Sequence, residues 1–252
     1  MGDAIHMEAS EMRKALMVGI AAAATASAGC GQSRAQGGGP LVQRSYQVGS
    51  FDRIEVAGPY DVEVHTGAGP SVSARGPEKL LERLVVEVKG DKLLIHTKEH
   101  RGLFHWNSIH GSAKVAVTVP SLSGAEIAGS GGITVDNVKG ERFNGSVAGS
   151  GDLKLGALDV QALKLSIGGS GDVRAQSGRA LTADYNIAGS GGIDASGIQA
   201  QTASASIAGS GSIRGQATGT ADVSIMGSGS VTMTGGAKCS VSKAGSGDVN
   251  CS

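Results

Sequence analysis

The tetrapeptide Ala-Gly-Ser-Gly, or a near copy, recurs seven times in this chain. The first glycines of the copies are Gly129, Gly149, Gly169, Gly189, Gly209, Gly227 and Gly245, so the spacing is 20, 20, 20, 20, 18 and 18 residues. The second glycines are Gly131, Gly151, Gly171, Gly191, Gly211, Gly229 and Gly247. A phosphate cradle or a catalytic elbow is needed once. Seven copies at fixed spacing mark a stack of like units. Twenty residues are too few for a two-helix repeat, and the local pattern alternates with period two, which is the strand period.

Aligning the copies shows the inner columns. Two residues before the first glycine stand Ile127, Val147, Ile167, Ile187, Ile207 and Ile225, and then Lys243. Four before it stand Gly145, Leu165, Tyr185, Ala205, Val223 and Val241. Six before it stand Phe143, Leu163, Ala183, Ala203, Ala221 and Cys239. After the turn the alternation resumes with Ile133, Leu153, Val173, Ile193, Ile213, Val231 and Val249. The residues between are polar, so one face is apolar and the other wet. Each unit therefore reads as strand, GSG turn, strand and a third, less regular stretch. Like residues stack on like at about 4.8 Å per rung, giving a rod on the order of 30 Å over seven rungs.

The predicted fold is all-β: a single-stranded parallel β-helix. Right-handed coiling is expected from the general preference for right-handed crossovers. The glycines are assigned to the turns, where a Cβ would clash with the next rung. The serine between them is expected to bond locally or along its stack.

Composition agrees with a solenoid. Glycine is abundant, at 42 residues, and of the aromatics only Phe143 and Tyr185 lie beyond Trp106. A compact core needs more bulk than that, whereas stacked rungs bury their inner faces on one another. The 22 basic and 22 acidic side chains balance, which removes the electrostatic footprint of a nucleic-acid binder.

Residues 43–120 lack the repeat but keep the alternation. Ile54, Val56, Tyr60, Val62 and Val64 fall on strands broken at Gly58-Pro59. "LVVEVKGDKLLIHT" reads as a hairpin turning at Gly90-Asp91. "GPEKLLERL" reads as one or two helical turns, and these segments are expected to form irregular first rungs covering the open end.

The N-terminus reads as a targeting segment, residues 1–29, with Met12 the better start. Arg13 and Lys14 precede the apolar run "ALMVGIAAAATA", which is too short for a stable span. "ASAGC" then offers an ordinary cleavage after Ala28, or a lipobox-like acylation at Cys30 that departs from the motif at Ser27. Residues 30–42 read as a flexible tether, possible anchor included, and 43–252 as the domain. Export to the periplasm, outer membrane or cell surface is expected, with membrane contact only through that anchor.

On "FDRIEVAGPYDVEV", "LVVEVKGDKLLI", the entry "VTVPSLSGAEIAGSGGI" and the GSG repeats, the chain resembles bacterial envelope proteins of the putative auto-transporter adhesin, head GIN domain family. The resemblance covers about residues 44–252. It implies a right-handed β-helix exported to the envelope and supplies no catalytic residues.

Chemistry elsewhere is thin. "HTKEH", His96 to His100, matches H-x-x-E-H, but it follows a strand, where residues four apart lie about 13 Å from one another. His105 and His110 flank Trp106, which leaves a loose metal-binding loop conceivable. The calcium nonapeptide repeat needs two turns per rung, and here there is one. Asp152 and Asp172 should stack like a glycosidase pair. Lys154, Arg174, Asp194 and Arg214 form the neighbouring column, which reads as a surface charge ladder. No catalytic residue, metal or cofactor is assigned. The reading is a non-enzymatic envelope protein that binds a surface glycan or protein; a polysaccharide-cutting β-helix enzyme is the alternative. Cys239 and Cys251 occupy inner columns in the final rung. With Cys30 used by lipidation or cleavage they form an even pair, expected to point inward and close as a disulfide.

The anchor is directly testable. Growth of the native host with radioactive palmitate should label the protein, and Cys30→Ser should abolish the label.

Overall fold

The computed structural model describes residues 39–98 and 113–252. The GSG repeats form a β-solenoid of parallel stacked coils, about six turns in all. Four successive coils are single long strands: β9 (Gly132–Gly149), β10 (Asp152–Gly169), β11 (Asp172–Gly189) and β12 (Gly192–Gly209). Next come β13 (Ser212–Gly227), and β14 (Ser230–Thr234), β15 (Lys238–Ala244) and β16 (Asp248–Cys251) at the end. Pairing is parallel with a step of twenty residues: Leu153 lies beside Ile133 and Val173, and Ile167 beside Val147 and Ile187. The third stretch pairs in register among β9, β10 and β11, where Asp159 lies beside Lys139 and Arg179 and Val160 beside Gly140 and Ala180. The expected irregularity appears in this stretch between β12 and β13.

Each glycine of the turn has its own reason. The first has positive φ at every corner, from 122° at Gly129 to 139° at Gly189, a region L side chains avoid. The second has an ordinary backbone but no room. A Cβ on Gly151 would strike the Gly131 carbonyl oxygen and Ile127 Cγ2. The coils come this close because the corner is hydrogen-bonded through its backbone. Ser150, Ser170, Ser190 and Ser210 each donate their N–H to the first glycine one coil earlier, at 2.9 Å. The serine thus serves the stack through its N–H, whereas its hydroxyl was expected to bond locally or along the stack.

The period falls from 20 to 18 at one place. Between β12 and β13 the register jumps from Ala195/Gly215 to Gln199/Gln216, and again from Ala200/Ala217 to Thr202/Thr220. Three residues bulge from β12 and one from β13, a net loss of two. The GSG corners on either side keep their alignment.

The core is filled by columns of matched size. Gly145 leaves space that the Cδ2 atoms of Leu153 and Leu165 occupy, 2.7 and 2.8 Å from where its Cβ would be. Tyr185 is the reverse: a fully buried ring that uses the space left by Gly215, with its Cε2 3.1 Å from where a Cβ there would lie. Its hydroxyl is buried without a hydrogen-bond partner among the described residues. Burial pushes the phenol well above its usual value.

The N-terminal strands are β1 (Leu41–Tyr46), β2 (Arg53–Ala57), β3 (Tyr60–Thr66), β4 (Ser71–Pro77), β5 (Leu84–Lys89), β6 (Lys92–Thr97), β7 (Ala113–Val119) and β8 (Gly124–Gly129). A single helical turn, α1 (Glu78–Leu81), buries Leu80 and Leu81. β5 and β6 pair as the expected hairpin around Gly90-Asp91. These segments do more than cap irregularly. β2 is parallel to both β6 and β8, and β3 to both β7 and β9. The β2–β3 coil is therefore sandwiched between the later-made β6–β7 coil and the main stack. At that end β4 runs antiparallel to both β1 and β7, and β5 antiparallel to β6. β1 also begins at Leu41, two residues inside the expected tether.

At the other end Cys239 stacks on Ala221 and Cys251 on Met233. A disulfide joins them with Cα atoms 6.6 Å apart, tying β15 to β16 across the coil mouth. Both occupy inner columns, as expected, but no coil follows, so Cys239 is half-buried and Cys251 exposed. Lys243, in the isoleucine column, turns its Nζ to the Gly247 carbonyl at 2.8 Å.

Three measurements follow from this packing. Gly189→Val should lose several kcal/mol and Ser190→Ala at most about 1 kcal/mol, read from urea midpoints. Tyr185→Phe should be as stable as the parent or gain up to about 1 kcal/mol. The raised phenol makes Tyr185's contribution whole below the free tyrosine pKa of about 10 and lost as pH rises beyond it. The phenylalanine variant should therefore resist alkali better. Cys239→Ala/Cys251→Ala should lower stability by about 2–4 kcal/mol, and mass spectrometry of the non-reduced protein should find neither thiol alkylatable.

Candidate functional site

The strands that follow the GSG corners, continued by β3 and β7 at the N-terminal end, build one wall of the solenoid, in the order β7, β3, β9, β10, β11, β12, β13, β14, β16. Its outward side chains form two columns, because successive residues of a strand alternate between faces. The first runs Asp61, Gly132, Asp152, Asp172, Gly192 and Ser212. The second runs Glu63, Thr134, Lys154, Arg174, Asp194 and Arg214.

Gly132 and Gly192 put no side chain into the first column, so the surface is hollowed between their longer neighbours. Two hollows lie at those glycines and a third lies between them, beside the stacked Asp152 and Asp172, and the three share walls. Asp61, Glu63, Lys114, Thr134 and Lys154 line one, Asp152, Lys154, Asp172 and Arg174 the next, and Arg174, Asp194, Ser212 and Arg214 the last. Together they make a shallow polar trough along the rod.

The trough's charges are not spent on one another. Lys114, Lys154, Arg174 and Arg214 form no ion pair within 4.0 Å among the described residues, nor do Asp61, Glu63, Asp152 and Asp172. The adjoining wall differs: Arg179 clasps Asp159 through two bonds of 2.9 and 2.8 Å, an arrangement that holds that carboxyl below its usual range. Within the trough Asp194 is fixed locally. Ser196 donates its hydroxyl at 2.7 Å and its N–H at 3.3 Å to Asp194 Oδ1. Those bonds, with Arg214 and Arg174 nearby, keep the carboxyl below its usual range.

The charge ladder Lys154, Arg174, Asp194 and Arg214 is thus a contiguous feature of the fold, and Asp152 and Asp172 are lateral neighbours. Its extension through Asp61, Glu63 and Lys114 is missed by the repeat alignment, since β3 and β7 lie outside the repeat. The alternation in "YDVEV" was the available signal. His96 sits on β6, with Nε2 3.2 Å from Glu87 Oε1. Glu99, His100, His105, Trp106 and His110 lie outside the described residues, as do Cys30 and the targeting segment. Among the described residues no three His, Cys, Asp or Glu side chains converge to hold a metal, and no helix is long and apolar enough to cross a membrane.

The profile of the putative auto-transporter adhesin, head GIN domain family matches residues 50–237. The chain belongs to this family. No curated protein matches it. Among solved structures it is similar to a putative adhesin from Bacteroides fragilis NCTC 9343, with TM-score 0.76 and 25% identity over 84% of this chain and 97% of that one. It is also similar to a putative lipid binding protein from Parabacteroides distasonis ATCC 8503, with TM-score 0.67 and 27% identity over 86% and 98% of the two chains. A putative adhesin from Parabacteroides merdae ATCC 43184 shares the fold at TM-score 0.62 and 21% identity, over 86% of this chain and 98% of that one. The shared fold thus spans most of this chain and nearly all of each neighbour.

The lowered carboxyl of Asp194 sets an acid limb. Its contribution is present above the unfolded carboxylate value of about 4 and is lost as pH falls through the lower folded value. Asp194→Asn should be less stable than the parent at pH 6 and equal to it near pH 2, as read by urea denaturation.

Proposed function

We propose that this head GIN protein is an exported, non-enzymatic binding module that acts as an adhesin at the cell envelope. The observation that carries this reading is the trough: an open, straight polar surface with uncommitted charges, on a wall whose coils repeat in register. The family and the Bacteroides fragilis neighbour support the adhesin role. The "ALMVGIAAAATA" segment and "ASAGC" support export, with Cys30 as the lipid attachment point.

An enzyme reading has one observation in its favour, the lateral pair Asp152 and Asp172. Both are exposed, with Lys154 and Arg174 two residues on along the same face. Catalysis of glycoside cleavage needs one acid held protonated in a shielded pocket, and an open wall does not shield. The lipid-binding name of the Parabacteroides distasonis neighbour finds little support in the core, where the inner columns of the coil are packed with their own side chains, such as Leu153, Leu165 and Tyr185.

Immobilised protein should retain ligands from an array of glycans and matrix proteins while releasing no new reducing ends or unsaturated sugars from polysaccharides. Product formation abolished by Asp152→Asn would replace the adhesin with an enzyme.

A further inference from the structure

We infer that the trough takes one extended, uncharged polysaccharide chain, laid along the rod and held by hydrogen bonds. The inference rests on the binding-module reading and deepens it by naming the ligand class.

The trough has the length for a polymer. It crosses seven strands, so six rung steps of about 4.8 Å give it roughly 29 Å. A single sugar or headgroup would occupy one hollow; three hollows with common walls suit a chain of repeating units. The rung step is close to the length of one hexose unit, so successive sugars meet equivalent positions.

Its chemistry selects hydroxyls. Asp152 and Asp172 stand in the first column as acceptors, while Lys154, Arg174 and Arg214 stand in the second as donors. A sugar hydroxyl both donates and accepts, so neighbouring hydroxyls on one ring can bond to the two columns together. These bonds are charge-assisted on the protein side, which makes them stronger than bonds between neutral partners. The side chains are exposed and free of ion pairs, so binding breaks no internal bridge. Two carboxylates are already oriented: Asp194 by Ser196, and Asp172 by the Gly192 N–H, which donates to its Oδ1 at 3.0 Å.

The charge balance excludes a polyanion as the preferred ligand. The four cations and five carboxylates that line the trough leave it one unit negative. A surface without net positive potential does not concentrate an acidic glycan, a nucleic acid or an anionic membrane. Attraction must come from local hydrogen bonds, which salt screens little at contact distance.

The test uses the purified full chain, titrated calorimetrically with soluble β-glucan, mannan, xylan and galactan, and with heparin and alginate as polyanions. At least one neutral polysaccharide should bind, with the affinity changing less than about threefold between 50 and 500 mM salt. Asp172→Ala/Arg174→Ala should weaken it by about tenfold or more. Asp159→Ala/Arg179→Ala, on the adjoining wall, should leave it within about twofold. Circular dichroism and melting confirm that both variants fold.

Tighter binding of heparin or alginate with a steep salt dependence overturns the inference, and so does equal loss in the two variants. If no polysaccharide binds while the protein still retains a protein ligand on the array, the inference fails and the adhesin reading stands. If a neutral polysaccharide binds in the trough and is cleaved, the ligand class stands and the non-enzymatic reading fails.

Discussion

The contact between one corner's backbone and the next sets the rest of this structure. At each GSG turn a serine N–H bonds to the carbonyl of the first glycine one coil earlier, and the second glycine lies where any Cβ would strike the coil beneath. That contact fixes the rung spacing and hence the register of every column. It also explains the rigid alignment of the corners where the period changes. The two residues lost between β12 and β13 are removed on a different wall. A backbone bulge there displaces side chains, whereas a shift at the corner would break the glycine contact itself.

With the register fixed, the core becomes a problem of size matching between facing columns. The aliphatic columns solve it by repetition. Tyr185 solves it by exception, one ring stacked between Leu165 and Ala205 and beside Gly215, at the expense of a buried hydroxyl without a partner among the described residues. The outer wall follows the same rule in reverse. Gly132 and Gly192 need only suit the strand, but the missing side chains hollow the surface into the trough. Fold and candidate site thus come from one columnar arrangement seen from its two sides.

Much of this is legible in the sequence because a parallel coil pairs residue i with residue i+20, so alignment of the repeats is already a map of contacts. The inner columns, the corner glycines and the ladder from Lys154 to Arg214 all follow from that map. It fails where pairing is not sequential. Nothing in the alternation of "FDRIEVAGPYDVEV" says that its strands sit between β6–β7 on one side and β8–β9 on the other, because a two-residue period carries no information about neighbours. The trough's extension through Asp61, Glu63 and Lys114 is hidden for the same reason. The role of the serine is a smaller case. Composition draws notice to its hydroxyl, while the bond is made by the N–H that every non-proline residue carries.

The displaced β2–β3 coil gives the molecule an order of assembly. In the main stack a new coil meets its partner twenty residues back, as Leu153 meets Ile133, so each can close almost as soon as it is made. Val62 waits for Ile133, 71 residues onward, and Ile54 pairs with Leu93 before its other side is covered by Ala125. Closure across such separations is slow compared with local pairing. The repeats behave as a zipper with interchangeable teeth, and the N-terminal coils as a clasp whose parts fit in one sequence only. A chain made amino end first presents the clasp before the coils that cover it exist. Its first strands can pair with β6 and β7 on one side, but the other side must stay open until the zipper has begun.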